Sequence, residues 1–137
     1  MLPQSAGGAA FFYFNPNPRT PNPYGKMDCV VRAICAAFGW TWERACAALS
    51  IQSFADGDNW AKDDVWGDFL EARGWTWFRI PDTCPRCYTL SEFARDHPEG
   101  VYIVGTGSHA VCVRDGVILD SWHSGGVIPL FAWRAPD

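Results

Sequence analysis

The sequence predicts an α+β fold in which N-terminal helices pack on a C-terminal antiparallel sheet. Apolar residues recur at helical spacing in the first half of the chain, whereas short β-rich runs dominate from Val101 onward. The Asp115-Gly116 pair between two of these runs is the strongest short-range signal for a β-hairpin. The 137 residues are 48% apolar, which predicts one domain spanning residues 1–137 with enough core to fold without cross-links.

The N-terminal region is predicted to contain one short strand and a long loop. Residues 1–10 are small and Gly-rich, and we expect them to be flexible. Phe11–Phe14 is predicted to be a short strand. It is too short for a signal peptide and lacks the basic flank of one. Four prolines are expected to keep the following segment, Asn15–Lys26, extended.

Three helices are predicted next. The first begins after Asp28, a residue type that caps helix N-termini, and ends at Gly39. The second is predicted over about Trp40–Ile51 and the third over about Lys62–Arg73. The apolar stripe of the first helix, which faces the core, consists of Val30, Ala33, Ile34, Ala37 and Phe38.

The second half of the chain supplies the remaining elements of the sheet. A Thr89-Leu90-Ser91-Glu92 capping box starts a short helix that ends before Pro98. Strands are predicted at Trp75–Ile80, Val101–Val104 and Val127–Trp133, and the last of them closes the sheet. Large aromatic side chains usually belong to the core, and we expect this of Trp66, Trp75, Trp77 and Trp133.

The predicted hairpin brings a histidine and a carboxylate together. A two-residue turn pairs Ser108–Arg114 with Val117–Trp122. Because side chains alternate between faces, His109, Asp120 and Trp122 then share one face, with Asp120 diagonal to His109. The pair therefore has the layout of a catalytic base and its orienting acid. In the alternative interpretation, His109 is an ordinary strand histidine and Asp120 a turn former.

The start of the first helix is a favourable place for a reactive thiol. Cys29 follows Asp28 directly, so the positive end of the helix dipole favours its thiolate. Backbone N–H groups of the first turn would stabilise a developing oxyanion. The alternative is that Cys29 is a buried small hydrophobe, which is what we expect of Cys35, Cys46 and Cys112.

Two segments of the hairpin resemble the papain-like cysteine peptidases. They are Ser108-His109-Ala110-Val111-Cys112-Val113 and Asp120-Ser121-Trp122. In that superfamily the histidine of the first segment is the base, an Asn at the start of the second orients it, and the tryptophan shields their hydrogen bond. The resemblance implies a single papain-like domain with Cys29 as nucleophile, His109 as base, Asp120 in place of the Asn and Trp122 as shield.

The helix start is similar to a different branch of that superfamily. The run Cys29-Val30-Val31-Arg32-Ala33 is similar to the Cys-x-x-Arg-Ala of ovarian-tumour-type deubiquitinases. Papain relatives carry an oxyanion-hole Gln upstream of the cysteine, where Pro23 stands here. We therefore expect Asn22 to be the second oxyanion donor, with Asn15 or Asn17 as alternatives.

Most of the chain also resembles a family of short proteins from bacteriophages and mobile elements. The shared features run from Asn15 to His109 and are an Asn-Pro-Asn-Pro stretch, an Asp-Cys-Val-x-Arg-Ala helix, a Cys-Pro-x-Cys-Tyr loop and a Gly-x-His-x-Val strand. This resemblance implies a phage or mobile-element origin and a location in the bacterial cytoplasm. It implies no particular reaction.

Composition narrows the classes of partner. The formal net charge is −4 and the basic residues are scattered, so we expect no nucleic-acid partner, which would need clustered cations. No apolar run approaches the length of a membrane span, so no membrane partner is expected either. A peptide or protein substrate suits this balance, and in the cytoplasm most of the six cysteines should be reduced thiols.

Two further groups of residues invite a functional interpretation. Arg32, one helical turn after Cys29, is a candidate for binding a substrate carboxylate, and the alternative is that it pairs with Asp28 or Glu43. The Cys84–Cys87 segment supplies only half of a zinc site and does not precede a helix as a redox motif would. We therefore expect no metal, and a rigid bend with the two thiols packed under Tyr88.

These observations predict a thiol-dependent hydrolase of a peptide, isopeptide or amide bond that needs no cofactor. The same acyl-enzyme resolved by an amine would make the protein a transferase. The competing hypothesis is a catalytically inactive binding protein of phage origin that keeps the papain-like scaffold and engages a host protein.

Overall fold

The computed structural model describes residues 4–6, 9–19 and 28–137, and in this part of the chain it is a mixed α+β structure. Four helices lie on the two faces of a seven-stranded sheet. In chain order the elements are β1 (Gln4–Ala6), β2 (Ala9–Tyr13), α1 (Cys29–Phe38), α2 (Trp42–Asp56), α3 (Asp63–Glu71), β3 (Thr76–Arg79), α4 (Leu90–Asp96), β4 (Val101–Gly105), β5 (Ala110–Arg114), β6 (Val117–Asp120) and β7 (Phe131–Arg134).

The sheet has the strand order β1-β2-β6-β5-β4-β7-β3 and is mixed. Its neighbours are antiparallel except β2 and β6, which run parallel with Tyr13 opposite Asp120. The prediction of an antiparallel sheet is therefore wrong at this pair. Gln4–Ala6 and Ala9–Ala10, within the stretch expected to be flexible, are strand residues, since β2 pairs with β6 and β1 pairs with β2. The flexibility of residues 1–10 stays a prediction.

The two faces of the sheet carry different helices. One core lies under α1, α2 and α3 and includes Ile34, Leu49 and Phe69 together with Ile103 of β4. The other lies under α4, where Phe93 packs with residues of the central strands. Helix α1 packs along β5 on the first face, with its N-terminus beside the start of β5.

The hairpin between β5 and β6 has the predicted turn and register. Asp115 and Gly116 both have positive φ angles, 50° and 77°, as a two-residue type I′ turn requires. Val113 lies opposite Ile118 and Arg114 opposite Val117. The side chains of the two strands therefore alternate as expected.

Several other boundaries and environments differ from the predictions. Helix α2 begins at Trp42 and continues to Asp56. Strand β7 begins only at Phe131, because residues 127–130 form a bend and an irregular segment instead of strand. Three of the four tryptophans expected in the core are buried. Trp77 is 50% exposed, because it lies on the edge strand β3.

The Cys84–Cys87 loop also departs from expectation. The two residues form a disulfide in an exposed loop before α4, so the prediction of reduced thiols packed under Tyr88 is wrong here. The turn brings their Cα atoms to 4.2 Å, a separation that a disulfide can bridge. Within the described ranges, no group of three His, Cys, Asp or Glu side chains is arranged to hold a metal ion. No helix in the same ranges is both long and apolar enough to cross a bilayer.

Candidate active site

Three polar side chains meet where α1 begins. Cys29 is the first residue of that helix, His109 directly precedes β5, and Asp120 ends β6. His109 Nε2 lies 2.7 Å from Asp120 Oδ2. The His109 side chain also lies beside the Cys29 thiol, whose pKa it lowers by a hydrogen bond and by its charge. The structure thus brings all three predicted catalytic residues into one hydrogen-bonded chain.

The hairpin holds α1 at both of its ends. At the N-terminus the backbone N–H of Ala110 donates to the Cys29 sulfur. At the C-terminus Arg114 Nη2 donates to the carbonyl oxygens of Ala36 and Ala37, at 3.1 and 2.7 Å. These carbonyls have no partner within the helix, and a cation there also complements the helix dipole. These contacts therefore tie α1 to β5 at both ends of the helix.

Asp120 is buried and fully occupied by donors. Its Oδ2 accepts from Ser124 Oγ at 2.7 Å as well as facing His109, and its Oδ1 accepts from the backbone N–H of Ser121 at 2.7 Å. These contacts hold the carboxylate in one orientation. Ser124 was not predicted from the sequence, because a serine four residues after an aspartate carries no catalytic signature.

Trp122 covers one side of the histidine. Its ring centroid lies 5.1 Å from that of His109 with the planes tilted by 44°, and the side chain is 37% exposed. Trp122 therefore lies against His109, and its role as a shield of the bond between His109 and Asp120 stays a prediction. This is the location predicted for a shielding residue.

The surroundings of Cys29 favour its thiolate. Burial alone would raise the pKa of this thiol, but hydrogen bonds from His109 and from the Ala110 backbone, together with the positive charges of His109 and Arg32, lower the pKa below its usual 9.0. By contrast, burial raises the pKa of both Cys35 and Cys112 to about 12. Those two thiols are thus the inert core residues that the sequence predicted.

His109 is shifted in the opposite direction. Burial would lower the pKa of its imidazole, but the hydrogen bond to Asp120 and the contact with Cys29 raise the pKa from 6.5 to about 9. The two opposite shifts favour the pairing of a Cys29 thiolate with a His109 imidazolium, relative to the same side chains alone in water. Such a pair combines a nucleophile with a proton donor for the leaving group.

Asp28 occupies the N-cap position of α1 but does not cap it with its side chain, contrary to expectation. Its Oδ2 accepts instead from Asn17 Nδ2 and from Trp42 Nε1, each at 3.0 Å. These partners on two other segments draw the carboxylate away from the helix axis. The first-turn N–H groups beside Cys29 therefore receive no bond from the Asp28 side chain.

The second oxyanion donor is not identified by these contacts. Asn22, the residue predicted for this role, lies outside the described residues. Of the alternatives, Asn17 directs its side-chain amide to Asp28, and the Asn15 side-chain oxygen accepts from the Asn17 backbone N–H at 3.2 Å. The backbone amide of Cys29 remains the donor that the helix start itself supplies.

Arg32 lies in the interior beside the site. Its side chain is buried, Nε is 3.1 Å from Asp28 Oδ1, and Nη1 donates to Ser121 Oγ. Of the roles considered for Arg32, the structure shows the pairing with Asp28. It does not support the predicted binding of a substrate carboxylate, because the guanidinium is buried and engaged.

Comparison of the chain with protein-family models, with curated proteins and with solved structures finds no match. The functional interpretation therefore depends on the geometry and chemistry of the site itself.

Proposed function

We propose that this protein is a papain-like thiol hydrolase that cleaves a peptide, isopeptide or amide bond through an acyl-enzyme on Cys29. The observation that carries the proposal is the hydrogen-bonded chain from Cys29 through His109 to Asp120 at the start of α1. A nucleophile on a helix, with its base and orienting acid on a sheet, is also the division of labour in papain-like enzymes.

The proposed reaction begins when the Cys29 thiolate attacks the substrate carbonyl carbon. A C–S bond forms while the carbonyl π electrons move to oxygen, where the backbone N–H of Cys29 donates a hydrogen bond. As the oxyanion collapses, the C–N bond breaks and the His109 imidazolium gives its proton to the leaving amine. An acyl thioester and a neutral imidazole remain.

Hydrolysis then regenerates the enzyme. Neutral His109 takes a proton from water as the water oxygen attacks the thioester carbon. The C–S bond breaks, the acid leaves, and the thiolate and imidazolium are restored. Asp120 holds the imidazole in one tautomer and orientation throughout and is not itself protonated. An amine in place of water would give a transferase by the same steps.

Selective alkylation tests whether Cys29 is activated. We expect iodoacetamide at low concentration to label Cys29 well before the other free thiols near neutral pH, with each site followed by peptide mass spectrometry. Cys46 is the matched control, because it is also partly exposed and lies on a neighbouring helix. Equal, slow labelling of Cys29 and Cys46 would contradict the proposal and favour an inactive binding protein.

A further inference from the structure

Among the contacts of the described residues, Arg32 is the only charged side chain that links α1 to the loop after Asp120. It is 7% exposed, and burying a guanidinium carries a large desolvation penalty. Its partner Asp28 lies close, yet Arg32 Nε has no acceptor aligned with its N–H. A buried ion pair without an aligned hydrogen bond contributes little to stability, so stability alone does not explain why Arg32 lies here.

The contacts of Arg32 complete a closed series of interactions that also includes Ser121, Asp120, His109 and Cys29. Arg32 Nη1 donates to the hydroxyl of Ser121, and the backbone N–H of Ser121 donates to Asp120 Oδ1 at 2.7 Å. Asp120 in turn holds His109, which bonds to Cys29 three residues before Arg32 on the same helix. Displacement of the Ser121 loop would therefore move the carboxylate that orients the base.

Arg32 also acts on the nucleophile through its charge. Its positive charge is one of the influences that lower the pKa of the Cys29 thiol, and at this depth it is poorly screened by solvent. Lysine would keep the charge but lacks the planar fork with which arginine reaches two partners at once. Substitution of Arg32 by lysine therefore removes the link to Ser121 but keeps the positive charge, whereas substitution by glutamine removes the charge.

We propose that Arg32 is a positioning residue of the thiol site, which joins α1 to the Asp120 loop through Ser121 and places a buried positive charge beside Cys29. This inference rests on the proposed function, because it assigns Arg32 to the same acyl-transfer site.

The charge is tested by the pH profile of Cys29 alkylation in Arg32→Gln and Arg32→Lys. We expect Arg32→Gln to move the midpoint to higher pH, which lowers labelling at every pH below the midpoint. Arg32→Lys should keep the wild-type midpoint. Arg114→Gln is the matched control, because Arg114 also ties α1 to the hairpin but at the far end of the helix. This substitution should lower thermal stability and leave the midpoint unchanged.

The linkage is tested by acylation with p-nitrophenyl acetate, where the thiolate takes the acetyl group and p-nitrophenolate leaves. Arg32→Lys and Ser121→Ala should each slow this burst by about two- to tenfold, the rate equivalent of one hydrogen bond. The double variant should be no slower than either single one, since both remove the same bond. These two variants keep a buried cation, so they test the linkage even if Arg32→Gln does not fold.

Three results would overturn the inference while leaving the proposed function intact. They are an unchanged midpoint in Arg32→Gln, wild-type burst rates in Arg32→Lys and Ser121→Ala, or fully additive losses in the double variant. Failure of the proposed function is separate, because wild-type Cys29 would then show neither selective alkylation nor a burst.

Discussion

Replacement of His109 by alanine should lower the reactivity of Cys29 near neutral pH by at least about tenfold. Each unit by which the pKa of the thiol rises lowers the fraction of thiolate about tenfold. The substitution removes both the hydrogen bond and the positive charge that lower the pKa of Cys29, while the burial that raises it remains. The midpoint of the alkylation profile should therefore move to higher pH. Hydrolysis should fall further, by about 10²–10⁴, because the base and acid of both steps are lost.

The pH dependence of the wild-type protein should carry the signature of the same pair. Alkylation should rise with pH through a midpoint below 9.0, as Cys29 ionises. Amide hydrolysis should fall again as His109 loses its proton at about 9. Because the folded pKa of His109 is raised, its contribution to stability is complete below pH 6.5 and is lost as pH rises through about 9.

His97 provides the control for the substitution of His109 by alanine. It lies at the end of α4 under the opposite face of the sheet, where it stacks on Phe93 at 4.0 Å. His97→Ala should leave the alkylation profile of Cys29 unchanged even where it lowers stability. If His109→Ala and His97→Ala gave the same profile, His109 would be a structural histidine and the triad would be misassigned.

Substitution of Asp120 should have the second large effect. Asp120→Ala leaves His109, the Ser121 N–H and the Ser124 hydroxyl without their acceptor. Each buried group left unpaired costs about 1–3 kcal/mol, so we expect a lower free energy of unfolding in urea. Loss of the orienting carboxylate should also reduce turnover, on the order of 10⁴ in a site of this design.

Asp120→Asn separates these two effects. It preserves the shape and an acceptor oxygen, so we expect the protein to fold. It removes the charge that raises the pKa of His109, so that pKa should fall, which is measurable by NMR titration of the ring. Full turnover in Asp120→Ala would show that Asp120 is not the orienting acid.

The parts of the site that were predictable from sequence are those governed by short-range rules. The Asp115-Gly116 turn determines the hairpin register, and the register determines that Asp120 reaches His109. Helix-start chemistry likewise placed Cys29 at the first position of α1. Because each signal spans only a few residues, neither prediction required knowledge of the tertiary fold.

The parts that were not predictable depend on contacts between distant segments. Arg32 and Ser121 are separated by 89 positions, and no local pattern indicates that they meet. The parallel pairing of β2 with β6 is of the same kind, since it joins an N-terminal strand to one in the last fifth of the chain. The side chain of Asp28 was misjudged because Asn17 and Trp42 compete with the helix for its oxygens.

Acyl transfer to Cys29 is measured by the reaction of the protein with p-nitrophenyl acetate, followed by peptide mass spectrometry. If Cys29 accepts an acyl group, we expect a burst of p-nitrophenolate equal to the protein concentration, one acetyl group on the Cys29 peptide that is lost again with time, and no burst in Cys29→Ala. A burst that persists in Cys29→Ala, or acetyl groups spread over Cys46 and the lysines at similar rates, would contradict it.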